Sequence, residues 1–163
     1  MRQHVNVRAA SAADREFILG LVPRLRAFGP TSLRPLASLD DAERFALQRA
    51  LDEPAPETSL LVAELEDLGR VGVAFGETAT DYFTHERHGH LAILMVAEPA
   101  EGRGVGRALL GAIETWSASQ NHRFITLNVF AANGHAREVY ERAGYSPDTI
   151  RYAKELRGNP APS

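Results

Sequence analysis

The stretch Leu94-Met95-Val96-Ala97-Glu98-Pro99-Ala100-Glu101-Gly102-Arg103-Gly104-Val105-Gly106-Arg107-Ala108-Leu109-Leu110 places three alternating glycines between two apolar patterns of different period. Before it, His90 to Ala97 is nearly all apolar, as expected of a strand covered on both faces. After it, Val105, Ala108, Leu109, Ala112, Ile113 and Trp116 recur at helical spacing to about Ser119. Glycine lets a backbone approach a ligand closely, and a helix N-terminus offers free N–H groups and a positive dipole end. The segment therefore reads either as a phosphate cradle or as a strand-to-helix turn that merely needs glycine. Two phosphate motifs are excluded. A dinucleotide fingerprint requires glycine at position 107, where Arg107 stands, and a P-loop requires Gly-Lys-Ser/Thr, whereas the only lysine is Lys154.

The flanking sequence supplies the other elements. Val5 and Val7 alternate as a short strand, and Ser11 to Asp14 has the form of a capping box before a helix carrying Phe17, Ile18, Leu21, Val22, Leu25 and Phe28. Pro23 should break or kink that helix, and Gly29-Pro30 should end it. A second helix is expected from about Leu39 to Leu51, opened by the charges of Asp40-Asp41. Ser59 to Leu65 and Val71 to Glu77 read as a hairpin turning at Gly69, followed by a polar, aromatic loop from Thr78 to His88 suited to substrate contacts. Beyond the glycines come a strand at Phe124 to Phe130, a helix from Asn133 to Ala143 stopped by Gly144, and a last strand at Thr149 to Leu156. The order of elements predicts one α/β domain over 1–156 on a mixed sheet, and 157–163 is expected to be a flexible tail.

Composition narrows the function. A chain of 163 residues buries about two-thirds of its unfolded surface without staples, and it has no cysteine to make one. That excludes disulfides, thiolate metal sites and a cysteine nucleophile. A formal charge of −3 lacks the basic face that nucleic acid or an anionic membrane requires. The longest apolar run, Leu91 to Ala97, is far shorter than the roughly twenty residues of a spanning helix, and the start has no apolar signal region, so a soluble, cytoplasmic protein is expected. His85, His88 and His90 are too loosely spaced, with no completing carboxylate pattern, to indicate a metal.

Taken together, these residues resemble the GNAT superfamily of acyl-CoA-dependent N-acyltransferases. The family signature Gln/Arg-x-x-Gly-x-Gly/Ala after Leu-x-Val is matched by Glu101 to Gly106 after Leu94-Met95-Val96. Its downstream pattern Asn-x-x-Ala-x-x-x-Tyr-x-x-x-Gly-Phe/Tyr is matched by Asn133, Ala136, Tyr140 and Gly144-Tyr145. The resemblance implies an α/β fold with a mostly antiparallel central sheet flanked by helices, and transfer of acetyl from acetyl-CoA to a primary amine. By the same resemblance, the amides of Gly102, Arg103, Gly104, Val105, Gly106 and Arg107 hold the CoA pyrophosphate, and the strand edge at Met95 and Val96 pairs with pantetheine. Glu101 departs from the signature, so Arg103 or Arg107 would supply positive charge.

Asn133 and Tyr140 lie seven residues apart, roughly 10 Å along a helix, and can address different parts of one extended ligand. Asn133 reads equally as a plain N-cap. Tyr140 reads either as a core aromatic or, by the resemblance, as the O–H donor to the departing thiolate. For the general base, the histone acetyltransferase branch places a glutamate where this chain has His90. Simple alternation puts His90, Ala92, Leu94 and Val96 on one face, and an imidazole can accept a proton at neutral pH. His88, Glu86, Glu77 and Asp81 are alternatives, as is a strand-end histidine with no catalytic part. Without cysteine, direct attack in a ternary complex is favoured over an acetyl-enzyme. A second reading is an acyl-CoA-binding module that has lost catalysis, motivated by Glu101 and the missing acidic base. The acceptor, a small molecule or a peptide amine, is not legible, and either a monomer or a homodimer is compatible with the sequence.

Overall fold

The computed structural model describes residues 3–26 and 33–157. Its five strands, β1 (Asn6–Ala9), β2 (Thr58–Leu65), β3 (Gly69–Thr80), β4 (Arg87–Val96) and β5 (Ile125–Leu127), form one sheet in the order β1-β2-β3-β4-β5. The first three pairings are antiparallel and only β4 with β5 is parallel, so the sheet is the mixed, mostly antiparallel one expected. Helices α1 (Arg15–Leu21) and α2 (Leu36–Asp52) precede β2, α3 (Val105–Ser119) joins β4 to β5, and α4 (Gly134–Arg142) follows. None of the described helices is long and apolar enough to cross a membrane.

Alternation along the strands divides the core between the two faces. Ala63, Leu65, Val71, Ala74 and Leu91 bury against Val105, Leu109, Leu110 and Ile113 of α3. On the other face Val62, Val73, Phe75, Ile93 and Met95 meet Ile18 and Leu21 of α1 and Leu47 of α2. Gly89 sets how closely α3 approaches β4, because a Cβ there would lie 2.0 Å from Ser117 Oγ.

One irregularity overturns the simple alternation. Phe75 pairs with Ile93 but the next residue, Gly76, pairs with Leu91, leaving Ala92 as an extra residue in β4. Leu91, Leu94 and Val96 therefore share the α3 face, while Ala92 packs on the α1/α2 face with Ile93 and Met95. His90, the neighbour of Leu91, belongs to that second face, opposite Leu94 and Val96.

Other expectations are adjusted by pairing. Helix α1 stops at Leu21, and the chain tightens into a 3-10 turn over Val22–Arg26 at Pro23. Helix α2 begins at Leu36, so Asp40 and Asp41 lie inside it rather than at its start, and Asp40 pairs with Arg26 at 3.1 Å. The loop expected from Thr78 to His88 shrinks to 81–86, because Thr78–Thr80 and Arg87–Gly89 extend the β3–β4 ladder. Strand β5 keeps three of its expected seven residues. Thr149 to Leu156 is no strand: it pairs with nothing in the sheet and leaves Ile150, Tyr152 and Leu156 exposed. Phe28, the Gly29-Pro30 stop and the tail from Gly158 lie outside the described residues.

Asp14 staples the N-terminal unit to the sheet. Its buried carboxylate accepts from Arg8 at 2.8 and 2.9 Å, from the Ser11 amide at 2.8 Å and from Arg70 at 3.3 Å. Arg8 also bonds Glu64 at 2.8 Å, so β1, β2, β3 and the start of α1 share one network. The Arg8 guanidinium, helped by the Ser11 amide and Arg70, holds the Asp14 carboxyl well below the usual carboxylate range. A depressed carboxyl contributes stability above its unfolded value of about 3.9, and loses it as pH falls through the folded value.

Asp14→Asn should destabilise the fold by roughly 1–3 kcal/mol near neutral pH, about 2–4 °C in melting temperature per kcal/mol, and the gap from wild type should close in acid. Melting curves across pH check this; a gap constant with pH would refute it. Gly89→Ala should cost about 1–3 kcal/mol through overpacking, whereas Gly111→Ala, on the open side of α3, should be neutral or stabilise by up to about 1 kcal/mol. Thermal unfolding of the two variants side by side decides it.

Candidate active site

The glycine loop is built as a backbone receptor. Gly102 and Gly104 take left-handed φ of 73° and 84°, and space is open around the Cβ position of each. Gly104 is the N-cap of α3 and has no side chain to cap it, leaving the first-turn amides of Val105, Gly106 and Arg107 without intrahelical acceptors. This suits an anion at the positive end of a 15-residue helix. Arg107 is exposed in that first turn and joins no ion pair among the described residues. Arg103 is engaged, holding Asp67 at 2.9 and 3.0 Å. Glu101 pairs with Arg24 of the 3-10 turn, which accounts structurally for a carboxylate at the signature's first position.

Beside the loop, β4 has two unequal edges. β3 pairs with it throughout, but β5 meets it only over Gly89–Leu91. From Ala92 to Val96 the second edge has no described strand beside it. Ala97 and Met95 turn their backbone groups to β3, which corrects the expectation for Met95: Val96 is the residue whose N–H and C=O face the open edge and an extended ligand. The Met95 side chain itself is core, 2% exposed, and Val96 is half-buried. The residues present thus fit CoA at both expected places, with amides for phosphate and a strand edge for pantetheine.

Asn133 caps α4, its Oδ1 accepting from the Ala136 amide at 3.1 Å. The plain N-cap reading of Asn133 is therefore correct, and its NH2 group is left over for other contacts. Tyr140 is half-buried on α4 and packs edge-on against Tyr145, with ring centroids 6.0 Å apart. Burial raises the Tyr140 phenol above its ordinary value, so it stays an O–H donor through the physiological range. The Tyr145 hydroxyl is buried without a partner among the described residues. Its position was visible in the downstream pattern, but nothing in the sequence marked that hydroxyl as unmatched.

The alternatives for the base separate cleanly. Glu86 is committed to Arg123, at 2.9 and 2.8 Å, which lowers its carboxyl. Asp81 accepts from the amides of Thr84 and Phe83 at 2.8 and 3.1 Å and closes its own turn. His88 is buried, stacked on Phe124 at 4.5 Å, with Nδ1–H donating to the Gly89 carbonyl at 2.8 Å. His90 and Glu77 are what remain, and they stand directly opposite each other across β3 and β4. Burial lowers the His90 imidazole, partly offset by Glu77, so His90 is neutral at physiological pH. Glu43 of α2 comes close to Glu77 from the α1/α2 side, and burial first, then Glu77, raises its carboxyl. Glu43 carried no motif; only the packing of α2 on the sheet brings it here.

The acetyltransferase (GNAT) family profile matches residues 27–145. An uncharacterized N-acetyltransferase of Bacillus subtilis (strain 168), YhfO, is 28% identical over 145 residues, 89% of this chain and 92% of that protein. A second from the same organism, YycN, is 34% identical over 59 residues, 36% of this chain and only 38% of its own length. Among solved structures, the aminoglycoside N-acetyltransferase AAC(6')-Iy in complex with CoA superposes with a TM-score of 0.72 at 18% identity, covering 95% of this chain and 97% of that one. The uncapped glycine loop, the open β4 edge and the extent of the family match lead to one conclusion: this chain belongs to the GNAT family and is an acyl-CoA-dependent N-acetyltransferase.

Proposed function

We propose that the enzyme transfers acetyl from acetyl-CoA to a primary amine by direct attack in a ternary complex. The observation that carries this reading is the parting of β4 from β5 after Leu91, which leaves the β4 edge from Ala92 to Val96 unpaired between the glycine loop and the His90–Glu77 pair. The amides of Gly102 and of Gly104 to Arg107 hold the pyrophosphate, Arg107 adds charge, and the outward-facing backbone of Val96, next to Met95, aligns the thioester, while the Arg103 amide is held by the Ala100 carbonyl at 3.3 Å. Asn133 offers its NH2 group to pantetheine.

In the reaction the amine nitrogen bonds to the acetyl carbon as the C–S bond breaks. One amine proton passes to the His90–Glu77 pair, and the Tyr140 hydroxyl protonates or steadies the departing thiolate. No cysteine is present to carry an acetyl group, which favours the direct route. The carboxyl groups of Glu77 and of Glu43 near it suit an acceptor that arrives as a cation. A small-molecule acceptor is supported by a solved neighbour, 21% identical, held with a CoA-linked acetylneamine analogue. A catalytically silent CoA-binding module is the competing reading, since Glu101 departs from the signature.

A screen of small amines and peptide N-termini with acetyl-CoA, read by thiol release, should find turnover with primary amines; CoA binding with no turnover across the panel would favour the silent module. Tyr140→Phe should keep CoA affinity within about twofold while lowering kcat by about 100-fold. Calorimetry together with steady-state kinetics tests this, and unchanged kcat would remove Tyr140 from the mechanism.

A further inference from the structure

Thr126 stands level with His90 in the β4–β5 ladder, one rung before the strands part. Its Oγ1 lies 2.8 Å from His90 Nδ1 and 3.5 Å from His88 Nδ1. His88 Nδ1 faces the Gly89 carbonyl at 2.8 Å, and a carbonyl only accepts, so that nitrogen carries a proton. It cannot also receive the Thr126 proton. Among the described residues the acceptor at hydrogen-bond distance from the Thr126 hydroxyl is His90 Nδ1; with the hydroxyl donating there, a neutral imidazole carries its own proton on Nε2.

We infer that Thr126 is a positioning residue that locks His90 in its Nε2–H form, so that His90 serves as a hydrogen-bond donor and Glu77 is the group that takes the amine's proton. This rests on the acetyl-transfer reading above and divides the work within its pair. Accepting a proton at Nδ1 would require His90 to break the Thr126 bond, whereas Glu77 is in none of the described ion pairs and sits directly opposite on β3. The charged and titratable groups around His90 are Glu77 on β3, His88 on its own strand and Glu43 on α2 beyond Glu77. As the nitrogen–carbon bond forms and the carbon–sulfur bond breaks, the proton leaves nitrogen for a Glu77 oxygen, and Nε2–H of His90 steadies the polar groups at that corner. Thr126, which has no motif of its own, thereby determines which group is the base.

The test is imidazole nitrogen NMR on the full chain with isotope-labelled histidine, the His90 signals being assigned through His90→Gln. Wild type and Thr126→Ser should show His90 as the Nε2–H tautomer at neutral pH, and Thr126→Val should lose that preference. A wild-type Nδ1–H tautomer, or a Thr126→Val spectrum identical to wild type, overturns the inference. In parallel, Thr126→Val should lower kcat by about tenfold, with Thr126→Ser restoring it to within about twofold. Glu77→Gln should lower kcat by about 100-fold or more while acetyl-CoA affinity stays within about twofold. A kcat within about threefold of wild type in Glu77→Gln removes Glu77 as the proton acceptor. Absence of turnover in the wild type would instead sink the acetyl-transfer reading and Glu77's part with it, while the NMR result decides Thr126's part by itself.

Discussion

The structure turns on the two unequal edges of β4. Backbone groups buried away from water must find partners, so a strand inside a sheet is normally matched along both edges. Here β3 matches β4 throughout, while β5 matches it for only three residues. The extra residue at Ala92 falls where that second pairing ends, and bulges bend and twist the strand that carries them. The half-strand Ile93–Val96 is thereby left with hydrogen-bonding capacity facing outward, and the chain then passes through a 3-10 turn at Glu98–Ala100 and the glycine loop into a helix N-terminus without a side-chain cap. A strand edge and a set of helix amides in series form an elongated polar receptor, made almost wholly of backbone.

Because the receptor is backbone, side chains around it are free to do other work. Glu101, which departs from the family signature, ties the loop to Arg24 and hence to the segment after α1. Arg103 is tied to Asp67 in the β2–β3 turn. Both pairs are partly exposed and contribute little to stability individually. Their effect is positional, fastening the glycine loop to the ends of two neighbouring segments. The Asp14 network does the equivalent at the other edge of the sheet, with a buried carboxylate whose partners come from the β1–α1 segment and from β3.

Much of this was legible in the order of residues. The strand, glycine loop and helix around Gly104, the break at Pro23, the hairpin at Gly69 and the Asn133 cap all involve residues within a few positions of each other. The faces were less legible. Alternation placed His90 with Leu94 and Val96, and one inserted residue at Ala92 reversed that. The last strand was misread because an alternating apolar pattern at Ile150 to Leu156 specifies an element that could pair, without specifying an edge to receive it. Likewise the acidic residues of the β3–β4 connection are equivalent as bases in the sequence, and Arg123 on Glu86 and the turn amides on Asp81 set those two apart.

By itself, the sequence determined the glycine loop and helix start that we propose hold the cofactor: chirality favours glycine at left-handed positions, and a helix start without a side-chain cap after a buried strand is a local property of the chain. Only the tertiary structure decided the other half of the site. Which face His90 takes, that Glu77 stands opposite it, that Thr126 meets its ring from β5, and that Glu43 leans in from α2 all depend on register between segments far apart in the chain. Pairing between strands sets that register, and a single bulge shifts it by one residue; no spacing within one segment records it.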